Sequence, residues 1–498
     1  MKIRCFLLSR AFVFRDSYFL LACTAALAVG LATGCGTNGS GSSSTGPVLS
    51  GNTAVTLLAS STANDQLSRF NVILTSLTLT NQSGKTVTVF TTPQTAEFIH
   101  LNGSVEPLTT VSVPQDVYTS ATATLQPSGF PTCVGQEPAG GGLLTNAAIG
   151  GYTAPPKITV NLPEPITVTG SGMGLELNLL VSKSVSSFNC VSTTNGAASI
   201  TPTFNLIPVT IAAQPTNSTN GMATGLRGVI ASVSSGGTSF RVAGADGPTW
   251  QVNSGTGTLF QGVTEASQLA TGMSVDMDVA IQADGSLLAK RVGVYDTNAT
   301  NLTLASGPLI ELASSVPALA SLVVENKGPL LAGLEGGSLY FNFTNAVFQT
   351  SGQLANVQKL PFSASFKASN MVDGQNFYIT THASTLSGGP TYVPATTITL
   401  ITQTINGKVT AVSNSGNFTT YTVALASYDL FANLAVQPGQ TTLLTNPNTV
   451  VVYVDSNTHQ LNSDPAAVGS LLRFRGLVFN DNGTLRMDCG QVNDGVKE

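Results

Sequence analysis

The stretch Gly272-Met273-Ser274-Val275-Asp276-Met277-Asp278-Val279, followed by Asp284-Gly285 and Ser286-Leu287-Leu288-Ala289-Lys290-Arg291-Val292, decides the fold. Two alternating apolar runs joined by Asp-Gly signal a hairpin, because a type I′ turn needs positive φ at both central residues. Val275, Met277 and Val279 fall on one face of the first run; Asp276 and Asp278 fall on the other. The aspartate face reads as solvated, and a one-residue slip would bury two carboxylates, so the register is well specified. Upstream, the unit opens with Gly228-Val229-Ile230-Ala231-Ser232-Val233, where Gly228 marks a bend or bulge. Residues 223–296 therefore read as a small curved barrel that buries its own core. The inward candidates are Val229, Val233, Phe240, Val242, Phe260, Val275, Met277, Val279, Leu288 and Val292.

The plan returns near the C-terminus. Gly407-Lys408-Val409-Thr410-Ala411-Val412 opens it, and Gly469-Ser470-Leu471-Leu472-Arg473-Phe474-Arg475 with Asn482-Gly483 closes it. Gly272 to Gly285 is 13 positions and Gly469 to Gly483 is 14, which defines a second module at 404–493. Between the two, residues 302–400 read as a degenerate copy. Phe362–Ala368, Asp373-Gly374 and Phe377-Tyr378-Ile379 stand there for the closing hairpin. Gln214–Met222 is a polar linker. Before it, residues 51–212 carry short strands at Val55–Leu58, Phe70–Leu79, Thr86–Phe90, Val117–Leu125, Lys157–Leu162, Leu175–Val181 and Phe204–Ile211, the pattern of a sandwich. The expected fold is all-β: an N-terminal β-sandwich followed by two or three small OB-like β-barrel modules.

Composition agrees. Only 9% of the 498 residues are charged, against about a quarter in typical soluble domains. The 50 Gly and 24 Pro suit many short strands joined by turns rather than long helices. The formal charge is −5; residues 1–34 contribute +3, so the remainder carries −8. That remainder has no Lys/Arg cluster to neutralise phosphates, which sets nucleic-acid partners aside.

Residues 1–34 follow the plan of a secretory signal, with basic residues at 2, 4, 10 and 15 before the apolar run Tyr18 to Leu31. The tail Leu31-Ala32-Thr33-Gly34-Cys35 resembles a bacterial lipobox, although Ala32 stands where Leu is more usual. The resemblance implies lipidation at Cys35, with residues 35–50 as a Gly/Ser-rich tether. Gly36 rather than Asp after Cys35 resembles the sorting pattern of outer-membrane lipoproteins, which implies a periplasmic or surface-facing envelope protein. Cys133 and Cys190 lie in one exported domain and are expected to be disulfide-bonded; Cys489 is left over.

Two family resemblances follow from quoted residues. Val55–Leu58, Phe70–Leu79, Val113-Pro114 with Tyr118, and Pro202 with Pro208-Val209 resemble the bacterial domain of unknown function 4382 over about a third of the chain. The Gly-rich insert Gly135–Gly151 departs from it. The opening near Gly228, Thr258-Leu259-Phe260, Leu269 with Gly272 and Val275, and the Asp284-Gly285 hairpin resemble the domain of unknown function 5666. Val229 and Val233 are four apart where that family has three. Neither family brings an established activity.

A search for chemistry nominates no catalytic residue, metal ligand or cofactor. His100, His382 and His459 fall in different modules, and no nucleophile-elbow, zincin, P-loop or dinucleotide motif occurs. Gly170-Ser171-Gly172-Met173-Gly174 reads as a turn, and Asp455-Ser456-Asn457-Thr458-His459 as a turn at a strand end. Trp250 with Phe240 and Phe260 reads as core before it reads as a sugar-stacking platform. The expected function is that of a non-enzymatic, lipid-anchored envelope protein acting as a structural or binding module. Its partners are the membrane and either a glycan or another envelope protein, and glycan binding is the alternative function.

Overall fold

The computed structural model describes residues 49–496 apart from 63–66, 128–130, 137–142, 149–156, 186–199, 245–246, 301, 313–318, 325, 328–336, 355–356, 383–391 and 437–442. The signal, Cys35 and nearly all of the tether lie outside the described residues, as does Cys190. Residues 49–498 cluster as one compact unit. The described α-helices are two short ones, Val181–Ser184 and Leu430–Ala435.

The N-terminal region is a sandwich. One sheet runs Phe204–Val209, Gly172–Leu179, Asn52–Ser61, Glu106–Pro114. The other runs Lys157–Val160, Asp116–Pro127, Asn71–Asn81, Thr86–Phe90, with Ile166–Val168 and Gln94–Glu97 added at its ends. Alternate apolar residues from both sheets, such as Leu57, Leu74, Leu77, Leu175 and Leu177, meet in one core. Tyr118 is fully buried, and its hydroxyl donates to the Pro114 carbonyl at 2.9 Å, pinning the turn between two strands.

Three closed sheets follow, all with one connectivity. In the first, Met222–Val233 pairs with both Ser239–Gly244 and Ser274–Ile281. Thr249–Asn253 pairs with Ser239–Gly244, and Leu287–Gly293 pairs with Ser274–Ile281. The ring closes in parallel at Val252↔Leu287. The last barrel repeats this with Gln403–Ser415, Phe418–Leu425, Thr449–Val454, Leu471–Asp481 and Thr484–Asp494, closing at Val450↔Leu485. Residues 303–400 form a third copy from Thr303–Leu312, Leu319–Val323, Ser338–Asn342, Asn376–Thr381 and Thr397–Leu400. There the parallel closure passes through Val393–Pro394, at Phe341↔Val393. Each copy also lays a short strand in parallel on its last strand: Leu259–Gln261, Val347–Thr350 and His459–Gln460. Five strands closed in this way make an OB-like barrel.

One glycine position recurs in all three. Gly228, Gly307 and Gly407 each sit on the first strand opposite the second residue of the fourth: Val275, Phe377 and Leu472. A Cβ on Gly228 would lie 2.2 Å from the Ala243 carbonyl oxygen, and one on Gly407 would lie 2.5 Å from that of Ala424. At Gly228 and Gly407 the second strand crosses so close that only a residue without a side chain fits, and this crossing lets the sheet curl shut.

Several sequence expectations are corrected. In residues 302–400, Asp373-Gly374 is not the closing hairpin; it precedes the fourth strand, and the Gly374 amide donates to Leu309 O at 2.7 Å. Asp284-Gly285 does turn a hairpin, but of the three-residue kind, with positive φ at Gly285 and not at Asp284. The two-residue form with both φ positive occurs at Asn482-Gly483. A bulge between Ile230 and Ser232 sends Ile230 into the first barrel, while Val229 packs outward against Tyr295, Tyr378 and Ile401.

The largest correction concerns the aspartate face. Ser274–Ile281 is buried along its whole length, and Asp276 is 0% exposed. The second barrel covers that face. Cores are shared as well: Leu58, Val105 and Val209 of the sandwich join the core of the first barrel. Leu477 and Phe479 of the last barrel join that of the second. Gly172 leaves room for the first barrel's hairpin, since a Cβ there would lie 1.9 Å from Ala283 O.

If the recurring glycine closes each barrel, Gly228→Val, Gly307→Val and Gly407→Val should each destabilise the full chain by at least about 1–3 kcal/mol, the cost of overpacking. Gly257→Ala, which meets open space, should be near neutral. Thermal or urea unfolding checks this; a Gly307→Val variant as stable as the parent would break the equivalence of the three copies.

Candidate functional site

The described residues that carry charge chemistry gather where the sandwich and the barrels meet. Arg291 anchors the first group. Its Nη2 lies 3.0 Å from Asp276 Oδ2 and its Nε 2.7 Å from Asp278 Oδ2. Arg227 Nε lies 3.7 Å from Asp276 Oδ1. The Tyr295 hydroxyl donates to Asp276 Oδ2 at 2.8 Å, and the Gly225 amide donates to Asp278 Oδ1 at 2.9 Å. Ser351 and Gln353, from the second barrel, reach Asp276 Oδ2 and Asp278 Oδ1 at 3.4 and 3.3 Å. Two carboxylates and two guanidiniums are formally neutral together, which is what lets the group sit out of water. Burial alone would raise the Asp276 pKa; Arg291, Arg227 and the Tyr295 hydrogen bond outweigh it and hold it below the ordinary value.

A second buried group lies in the sandwich. His100 Nδ1 is 3.0 Å from Glu97 Oε2, and Nε2 is 3.3 Å from Glu106 Oε2. Burial opposes a charge on the ring, but the hydrogen bonds and charges of Glu106 and Glu97 prevail and raise its pKa to about 10. His100 is therefore an imidazolium at neutral pH, with both nitrogens committed. His382 is committed too, to Asp296 Oδ2 through Nε2 and to Thr300 O through Nδ1, both at 2.8 Å. Neither ring is free to take a proton from a nucleophile.

His459 is placed differently. It borders a cavity of about 320 Å³ at the meeting of all the elements. Ser104 comes from the sandwich, Asn217 from the linker, Asp278 from the first barrel and Leu354 from the second. The last barrel adds Asp455, His459, Asp488 and Cys489. Asp455 is the head of a tight turn, with Oδ1 accepting from the Asn457 amide at 2.8 Å. Thr458 Oγ1 donates to Cys489 O at 2.7 Å and locks that turn to the final strand. Cys489 is free and buried, its thiol donates to Gln491 O at 3.2 Å, and burial raises its pKa, so it is no nucleophile.

The structure thus brings together Asp278, the Asp455–His459 turn and Cys489, which the sequence shows only as separate features. It leaves His100 and His382 apart from them. Sequence reasoning missed Asp488, although its place between the inward Met487 and Cys489 on a strand marks it as facing out of its own barrel. Trp250 and Phe240 are buried, and Trp250 Nε1 donates to Pro107 O at 2.9 Å, so they form no exposed stacking platform. Gly170 turns with φ 76°, and Gly172 already belongs to the next strand. Cys133 is buried; its expected partner Cys190 and the lipidation site Cys35 lie outside the described residues. Among the described residues no three His, Cys, Asp or Glu side chains are grouped as a metal site requires.

Comparison with known proteins adds little. No protein-family model and no curated protein matches the chain. Among solved structures, a deletion mutant of the single-stranded DNA binding protein from Thermus aquaticus is similar over 40% of this chain and 95% of that one. The identity is 12% and the TM-score 0.14, too low to carry an argument.

The His100 group makes a pH prediction. A histidine whose pKa is raised on folding stabilises the protein fully below about 6.5 and progressively loses that contribution as pH rises toward about 10. Thermal midpoints of the full chain should fall across this window. In His100→Gln they should start lower at pH 6 and lack that slope, leaving the two curves convergent near pH 10.

Proposed function

We propose that the chain is a lipid-anchored cell-envelope protein, tethered through Cys35 to an outer membrane, that acts without catalysis as a structural or binding module. The observation that carries the reading is the commitment of His100, His382 and Cys489 to structural contacts. His100 and His382 have both nitrogens engaged, and the thiol of Cys489 is protonated and buried. What is left at the meeting of the barrels is a cavity with both apolar and polar groups in its walls, which suits binding rather than turnover. Shared cores and the neutral Arg–Asp group hold those walls in place, as a scaffold held away from a membrane on a Gly/Ser tether would need. The resemblances to the domains of unknown function 4382 and 5666 belong to the same proposal, as does a Cys133–Cys190 bridge formed in an oxidising compartment.

Fractionation of cells expressing the chain tests the anchor. The parent should partition with the outer membrane, and Cys35→Ser should be released or keep an unprocessed signal. Mapping the same material without reductant should join the peptides of Cys133 and Cys190. A Cys35→Ser protein processed and membrane-bound like the parent would contradict the anchor, and two free thiols would contradict the bridge.

A further inference from the structure

The short helix Leu430–Ala435 ties three β units together, and a buried carboxyl starts it. Leu430 and Leu434 pack with Val134 of the sandwich and Ile310 of the second barrel. Phe431 belongs to the core of the last barrel and lies against the second barrel at Gly374, where a Cβ would lie 2.5 Å from its ring. Asp429 precedes the helix and is 1% exposed. Its Oδ1 accepts from the Phe431 amide at 2.9 Å and its Oδ2 from the Asn406 amide at 2.6 Å. One carboxyl thus joins the helix to the first strand of the last barrel, Gln403–Ser415.

No cation pairs with this carboxyl among the described residues. Across a cavity of about 60 Å³ it faces His100 of the sandwich, Arg227 of the first barrel and Arg475 of the last. His100 is held by Glu97 and Glu106, Arg227 leans toward Asp276, and Arg475 donates to Asn102 O. On the last barrel, Lys408 is exposed and the Tyr428 hydroxyl donates to Val496 O. The second barrel presents Asp373, which is 3% exposed and feels the charge of Glu311. The sandwich strand Thr132–Gln136, which carries Val134, brings no charge.

We propose that this helix is a proton-sensitive clamp. With Asp429 neutral it holds the last barrel to the second barrel and the sandwich; with Asp429 charged it opens locally, below the threshold of global unfolding. A few amide hydrogen bonds do not replace the hydration of a carboxylate at a buried position without a cation, whereas a neutral carboxyl is far cheaper to bury there. Burial outweighs the backbone hydrogen bonds and lifts the Asp429 carboxyl to about 7. Burial and the charge of Glu311 lift that of Asp373 to about 7 as well. An acid whose pKa is raised on folding stabilises fully below its ordinary value, 3.8, and that contribution is lost as pH rises through about 7. The clamp is therefore tight in mildly acid surroundings and loosens near neutrality, the reverse of a carboxylate paired with a cation.

The inference depends neither on the lipid anchor nor on any ligand. Hydrogen exchange of the purified full-length chain in detergent, read by mass spectrometry and corrected for intrinsic rates, tests it. The readout is the opening of peptides covering 430–435 relative to the sandwich strand Asn71–Asn81 in the same sample. From about pH 5 to about pH 8 this ratio should rise at least about tenfold. Asp429→Asn cannot ionise. It should open more readily than the parent at about pH 5, since its amide nitrogen meets the Asn406 N–H, but its rise with pH should shrink to less than about threefold. Should that variant fail to fold, the wild-type ratio still decides. A wild-type ratio that stays flat between the two pH values, or an equal rise in a folded Asp429→Asn, would overturn the proposal.

Discussion

Asp276 and Asp278 stand two residues apart on one strand, and both have been taken out of water. Moving a carboxylate into a protein interior costs several kcal/mol even after relaxation, so the arrangement survives only if charge and hydrogen bonds return what hydration gave. Arg291 answers both carboxylates, Arg227 approaches Asp276 Oδ1, Tyr295 and Ser351 bond to Asp276 Oδ2, and Gln353 and the Gly225 amide bond to Asp278 Oδ1. These groups come from two barrels. The first barrel alone cannot complete the set, because Ser351 and Gln353 belong to the second. Its outer face is thus a joint, and the positions of the other elements follow from where that joint forms.

Much of the fold is legible in the sequence because it rests on local rules. Alternation places Val275, Met277 and Val279 inward, and Asn482-Gly483 adopts the turn its residues favour. The first and last barrels declare themselves through Gly228 and Gly407. The middle barrel has its own counterpart in Gly307, but the signal is pairing opposite Phe377 rather than local spacing, and a search for a closing Asp-Gly passes over it. The bulge after Ile230 is equally hidden, since the run from Val229 to Val233 contains nothing that forbids a regular strand. Alternation reports that a strand has two faces. It cannot report that both are covered, and an aspartate face in a chain of modules looks the same whether it meets solvent or a neighbour.

The candidate site was legible only in pieces for a related reason. Its walls come from Ser104, Asn217, Asp278, Gln353, Asp455 and Asp488, which span most of the chain. No spacing rule links residues that meet only after four β units have packed. Such a cavity is a property of the assembly, and its shape is maintained by the joint at Asp276 and by cores shared across boundaries. Small barrels of about 75–90 residues are marginal when each must bury its own core, and sharing relieves that limit. It also ties the stability of one barrel to the presence of the next.

Differential scanning calorimetry of the full chain and of Asp276→Asn tests this coupling most directly. Removing one partner from a buried ion pair costs about 3–5 kcal/mol. The account predicts one cooperative transition in both proteins, displaced downward as a whole in the variant. Separate transitions, with only one of them moved by the substitution, would show that the barrels fold independently and would contradict it.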